Sequence, residues 1–511
     1  MTQESNIPNR RPRPMTWQER LLRNSGVSLN MPYAWHMTIP KWLVTNPIVF
    51  FFIAMVACWV AFGHVPGMHL VLTACISVVL FFTAGYIMAN NWKRVSEKRF
   101  LKNVFIAGFL IRVLWVLYMF FIFNPEFYGN TYGSTADTDW FMAFGRGLAD
   151  WIRGDIHYSL SQVIDINMSA IDDVAYPMWL AVVYVLTGEM SDVFIPMVVK
   201  CIVGAYCAIS IYRVAKRHFG MGTARLAAIF VCLNPNMIYW CAAMMKEAEM
   251  VFFCCLAVDK LDEALSSGQK LTLRALWPGL LAGVVLFFMR TALGLALFLG
   301  VFAHIVFASR RVISLGKKIL MGLLVVMTLA IGVGDRILYQ SRSYLETVQS
   351  DAQQENMEFR SKHSGNEFVK YAGAAVFAPL IFTLPFPTLN VADVNQLVQV
   401  QLAGGSYIRN ILSFFTVLVL LLLWVSGEWR KHVFIIAYTC AYLGVLVFSG
   451  YAQSGRFHMP IWPMLMLLAA YGVQLTKGNA QLQRAFGYVL WIEIGVCLVW
   501  NWFKLAGRGM L

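Results

Sequence analysis

The sequence predicts an all-α, polytopic membrane protein with about thirteen transmembrane helices. Three observations lead there. Of 511 residues, 59% are hydrophobic and only 13% are charged, and the mean hydropathy is +0.61, too apolar for a soluble globular chain. Apolar runs recur at roughly 17–22 residues, the length a helix needs to cross a bilayer. Lys and Arg gather in alternate connecting segments, the sidedness expected of cytoplasmic loops.

Residues 1–41 are polar and carry six Lys/Arg. They predict a basic cytoplasmic segment, and the first apolar run after them reads as a retained span rather than a cleaved leader. Candidate spans follow at 42–62, 68–89, 104–123, 193–214, 223–241, 247–259, 276–289, 292–308, 319–334, 406–425, 432–449, 460–475 and 486–503. The piece "YPMWLAVVYVLTG" at 176–188 is too short to span alone and predicts a re-entrant or interfacial helix. The chain thus divides into 1–41, a transmembrane core at 42–334, a second outer segment at 335–405 and C-terminal helices at 406–511. No internal repeat stands out.

Basic segments lie at 91–103, 212–225, 309–318 and 428–431, and alternate spans place them all in the cytoplasm if 176–188 does not cross. The first long outer loop, 124–192, has the opposite bias, with two Lys/Arg against ten Asp/Glu. The net charge of +14 is therefore mostly a topology signal, and the chain has no nucleic-acid partner to expect. The ten cysteines lie in or beside apolar runs without metal-ligand or disulfide spacing, so they read as small core side chains.

The outer loop contains "GSTADTDWFMAFGRGLADW" at 133–151. Ser134 or Thr135 can cap a helix start. A 3.6-residue period then puts Asp137, Phe141, Phe144 and Leu148 on one apolar face, with Asp139 more solvated. The plain explanation is two first-turn acids complementing the helix dipole; the alternative is a functional carboxylate pair. In "LNPNMIYWCAAMMKEAEM" at 233–250, Asn234-Pro235-Asn236 interrupts a helix, and Lys246 and Glu247 stand between two apolar runs. They either snorkel at the interface or face a polar cavity. Arg290 stands alone among about thirty apolar residues, as the outer turn of a tight hairpin or as a partnered charge within the membrane. Arg456 and His458 open the span at 460–475, where adjacent cations could hold an anion.

Together these residues resemble the GT-C fold glycosyltransferases, the polytopic enzymes related to protein O-mannosyltransferases and lipid A aminoarabinose transferases. Asp137-Thr138-Asp139-Trp140-Phe141 resembles their acidic loop motif, although the family's acidic pair is most often adjacent. "YPMWLAVVYVLTG", which begins at Tyr176, resembles their Tyr-Pro segment. "NPNMIYWCAAMMKE" resembles an Asn-Pro…Lys-Glu segment, and "RFHMPIWPMLMLLAAYG" their late Arg-Pro-Pro segment. The resemblance covers most of residues 104–475.

It implies a multi-pass enzyme of a bacterial inner membrane whose site faces the periplasm. The donor would be a polyprenyl-phosphate-linked sugar, and the acceptor a glycan, lipid or protein. Transfer would invert the anomeric centre. A lipid phosphate already leaves readily, so the acceptor needs a base more than the leaving group needs an acid. Asp137 is the expected base, with Asp139 supporting it or helping hold a divalent metal such as Mg or Mn. A carboxylate beside an apolar surface suits that role, because desolvation makes it hold a proton more tightly. Lys246, Arg290, Arg456 and His458 are the expected phosphate-binding groups, and Glu247 and Tyr176 the expected lining of the substrate cavity. The alternatives are a polymerase or ligase of lipid-linked glycans, whose acceptor cleft could use "FAPLIFTLPFPTLN" within 335–405, or a flippase with no chemistry. A flippase more often shows inverted repeats and mid-membrane charges.

Overall fold

A computed structural model of the chain describes residues 38–133, 136–157, 159, 162, 173–188, 193–266, 272–308, 380–390, 397–448 and 454–506. Among these the structure is helical, with no strand. The principal helices are α1 Trp42–Phe62, α2 Met68–Asn91, α3 Glu97–Tyr118, α4 Ala136–Arg153, α5 Ala175–Thr187, α6 Phe194–Leu233 and α7 Glu247–Ser266. They continue as α8 Leu273–Met289, α9 Thr291–Ala303, α10 Ala403–Ser426, α11 Val433–Phe448, α12 Trp462–Thr476 and α13 Ala480–Ala506.

Eight helical stretches among the described residues are long and apolar enough to cross a membrane. The expected count of about thirteen is not reproduced. The acids in α7 interrupt its apolar surface, α8 and α9 are shorter apolar helices, and 319–334 falls outside the described residues. The eight also count α6 once, although 40 residues of straight helix would measure roughly 60 Å, twice a hydrocarbon core. It is not straight. Gly220, at φ 81° and ψ 176°, breaks it, in a region of backbone space that L side chains avoid.

Contacts show that the two arms of α6 run back alongside each other. The fully buried Arg112 of α3 donates to the carbonyl of Cys232 on the second arm at 3.0 Å. A Cβ built on Gly204 of the first arm would lie 2.9 Å from Arg112 Nε, so only glycine lets α3 approach this closely. The bend itself sits against the basic 91–103 segment. Lys216 bonds Glu97 at 2.7 Å, and Arg225 donates to the carbonyls of Trp92, Lys93 and Val95. The 428–432 turn joins the same end through His432, 2.8 Å from His218. Three basic segments thus share one end of the bundle, as positive-inside patterning requires.

The opposite end holds α4 and α5. Their packing is close, since a Cβ on Gly145 would lie 3.0 Å from Leu180 Cβ. Arg153 also donates to the Tyr184 carbonyl at 3.0 Å. α5 is 13 residues long, the short helix expected from its sequence. Residues 381–390 pass in non-helical form between helices at this end, with Leu384, Phe386 and Leu389 buried. Asn501 of α13 accepts the N–H groups of Leu389 and Asn390, and Trp59 of α1 donates to the Leu389 carbonyl at 3.1 Å. Side chains therefore replace the hydrogen bonds a helix would have made, the condition for irregular backbone near hydrocarbon. All ten cysteines are free and eight are buried, in line with their reading as core side chains.

Candidate active site

The site is built where α4, α7, the α8–α9 turn and the start of α12 converge. α4 turns Thr138, Phe141, Met142, Phe144, Leu148 and Ala149 inward. Asp137 lies at the margin of this face, not on the apolar side as its spacing predicts, and its side chain is 53% exposed. Desolvation is therefore not what would make it a base. Thr138, next to it, anchors the helix by donating to Met245 Sδ at 3.3 Å.

Arg456, in the single helical turn Gly455–His458, joins the two carboxylates. Its Nη1 donates to Asp137 Oδ2 at 2.7 Å, and its Nε to Glu247 Oε1. Glu247 is fully buried at the first turn of α7, where the helix N-terminus favours negative charge. The second oxygen of Glu247 has no hydrogen-bond partner among the described residues. A guanidinium suits this bridging role, because its fork can serve two acceptors at once.

Lys246 is buried and pairs with Asp173 of the outer loop, while its Nζ also donates to the Met289 carbonyl at 3.0 Å. It thus caps α8 as well as carrying charge. Arg290 is an extended residue between α8 and α9, the hairpin turn rather than a charge within a span. It donates to Tyr442 Oη at 3.3 Å and lies over the Phe457 ring at 4.3 Å. No carboxylate pairs with it among the described residues. His458 is fully buried. Tyr176 is fully buried with its ring edge-on to Phe141, and its hydroxyl has no hydrogen-bond partner among the described residues.

Asp139 points elsewhere. It neighbours Tyr132 of the loop, whose hydroxyl ionises less readily because of partial desolvation and the adjacent Asp139 carboxylate. Residues two apart on a helix lie about 200° apart around it, so one ion could not readily take both aspartates. No group of three His, Cys, Asp or Glu side chains is gathered for a metal among the described residues. The donor set among the described residues does not fit a metal.

Lys200 and Glu249 are a pair that sequence reasoning missed. Both are buried and their charges stand 3.3 Å apart. Lys200 also donates to the Ala243 carbonyl at 2.9 Å and to the Met245 carbonyl, fixing the turn that presents Lys246 and Glu247. The signal was a lone lysine inside the apolar run 193–214, a costly placement that normally marks a partner.

No curated protein matches the chain. Residues 170–380, about two fifths of the chain, match the Alg9-like mannosyltransferase family. That segment holds Tyr176, Lys200, Lys246, Glu247, Glu249 and Arg290. This similarity, on a helical bundle with several membrane-length helices, indicates a glycosyltransferase and supports a multi-pass membrane enzyme of the GT-C type.

Proposed function

We propose that the protein transfers a sugar from a polyprenyl-phosphate carrier to an acceptor at the end of the bundle opposite the basic loops, the periplasmic face of a bacterial inner membrane. The observation that carries this reading is the Asp137–Arg456–Glu247 bridge, with a third cation, Arg290, beside it and unpaired with any described carboxylate. A bare phosphate monoester or diester would find Arg290 first, since Lys246 and Arg456 are already engaged.

The acceptor hydroxyl or amine attacks the anomeric carbon from the face opposite the phosphate, so the configuration inverts. Asp137 takes the acceptor proton as the carbon–oxygen bond to phosphate breaks, and the lipid phosphate leaves with the bonding pair. Phosphate binding draws Arg456 from Asp137 towards the leaving group. That movement frees the carboxylate when the substrate is present, in place of the desolvation the sequence suggested. Asp139 orients the loop through Tyr132. The Alg9-like family's description names mannosyl transfer, so mannose is the first sugar to try. Residues 384–390, buried at the same end, are suited to form one wall of an acceptor cleft; this keeps a glycan polymerase or ligase as the second reading.

The test is purified protein in nanodiscs supplied with polyprenyl-phosphate mannose and, in parallel, other polyprenyl-phosphate sugars. Release of free polyprenyl phosphate and the anomeric configuration of the product are followed together. Release with inversion supports the reading. Lipid movement across the bilayer without release overturns it in favour of a flippase.

A further inference from the structure

A second cluster of unused donors lies outside the Asp137–Arg456–Glu247 bridge. Arg409 sits two turns into α10 and is 2% exposed. One nitrogen, Nη2, donates to the Ile381 carbonyl at 3.1 Å. Nε and Nη1 have no partner among the described residues. Trp462 of α12 lies beside it, its ring 5.7 Å from the guanidinium, and its buried indole N–H is also without a partner there. Both residues line a cavity of about 10 Å³, bounded further by Leu412, Ser413, Thr416 and Met466. That is room for one water-sized occupant.

The lining is one-sided in its chemistry. The hydroxyls of Ser413 and Thr416 already donate to carbonyls, those of Arg409 at 2.8 Å and Leu465 at 3.0 Å. The unused groups on Arg409 and Trp462 are all N–H donors. An arginine cannot shed its proton, and an unneutralised charge at this depth is costly. No carboxylate pairs with Arg409 among the described residues. A water would satisfy donors but leave the charge uncompensated. A negatively charged acceptor atom does both.

We propose that Arg409 and Trp462 bind a single anionic acceptor atom: a halide, or one oxygen of a lipid phosphate reaching between α10 and α12. Its position ties three elements together. Arg409 and Ser413 hold the 381–382 end of the buried non-helical segment, and Trp462 follows closely on the turn bearing Arg456 and His458. Occupancy would therefore stiffen the wall beneath the charge bridge.

The test measures thermal unfolding of the full-length protein in detergent at constant ionic strength. Sodium gluconate is replaced by sodium chloride, bromide or iodide, and separately a sub-stoichiometric to excess series of polyprenyl phosphate is added. Chloride should raise the unfolding temperature by on the order of 2 °C, and Arg409→Met should lose this dependence. A rise with polyprenyl phosphate alone, lost in Arg409→Met, assigns the acceptor atom to a lipid phosphate. Should Arg409→Met not fold, wild-type crystals grown in bromide must show an anomalous peak beside the guanidinium. Equal unfolding temperatures in all anions and with polyprenyl phosphate, together with no bromide peak, overturn the site and leave only a water there. Halide dependence that persists in Arg409→Met overturns it as well.

Discussion

Helix α7 carries carboxylates at both ends, and the two ends are used differently. Near the basic loops, Asp262 accepts from Arg217 Nε and His218 Nε2 at 2.6 Å each, and Asp259 accepts from Arg217 Nη2 at 2.8 Å with Arg213 at 3.4 Å. Every one of those acids has close donors. At the other end, Lys200 stands 3.3 Å from Glu249 Oε2, but the second oxygens of Glu247 and Glu249 lack a hydrogen-bond partner among the described residues, as does the Tyr176 hydroxyl nearby. Buried polar groups are almost always satisfied, and an unsatisfied one is costly. A saturated network does structural work, joining α6, α7 and the 428–432 turn. An unsaturated one retains capacity for something that comes and goes. The contrast supports the proposed site at the Glu247 end on grounds independent of any family likeness.

The sharpest way to break this contrast is to remove the central arginine of each network. Arg456→Met should lower transfer by at least about a thousandfold, because it removes both a phosphate-binding group and the partner of a buried carboxylate. Arg217→Met leaves Asp259 with Arg213 alone and Asp262 with His218, and should destabilise the fold by about 1–3 kcal/mol, yet leave the rate per folded molecule within about threefold. Initial rates normalised to the folded fraction distinguish the two.

Next comes Lys200→Met. Glu249 then loses its counter-charge and the 243–246 turn loses two carbonyl anchors. Thermal unfolding should shift downward, and transfer should fall by about tenfold to a hundredfold through misplaced Lys246 and Glu247. Lys200→Arg should recover part of the rate if the charge is what matters. A variant that unfolds earlier but transfers normally would make the pair structural only.

The smallest effect should come from Tyr176→Phe. Its hydroxyl has no hydrogen-bond partner among the described residues, so stability should hold within about 0.5 kcal/mol or rise slightly. A rise in the donor KM of a few fold would show that the hydroxyl meets substrate; unchanged kinetics would assign Tyr176 to packing against Phe141.

Much of the fold is legible in the sequence. Fold class and the grouping of basic loops follow from hydropathy and Lys/Arg placement, which are local properties of the chain. Arg290 was conspicuous because a single charge in a long apolar run demands an explanation, and the structure supplies one in the α8–α9 turn. The same physical rule applied to Lys200, Arg112 and Arg409, but one charge barely lowers the mean hydropathy of a 20-residue window, so they passed as ordinary span residues. The pairing of Arg456 with Asp137 and Glu247 joins residues 319 and 209 positions apart, which no local pattern encodes. The exposure of Asp137 was misjudged because a periodicity argument fixes which residues share a face, whereas the edge of that face depends on what α5 and α7 bring against it.

The most direct test compares Asp137→Asn with Asp262→Asn in initial transfer rate from polyprenyl-phosphate mannose, normalised to folded protein. Asp137 is half exposed and its ion pair is worth about 1 kcal/mol or less, so its variant should fold normally and lose transfer by at least about a thousandfold. Asp262→Asn should fold less stably and transfer at close to the wild-type rate. Normal transfer by Asp137→Asn, or equal loss in both variants, would contradict the assignment of the reaction to the Asp137–Arg456–Glu247 end.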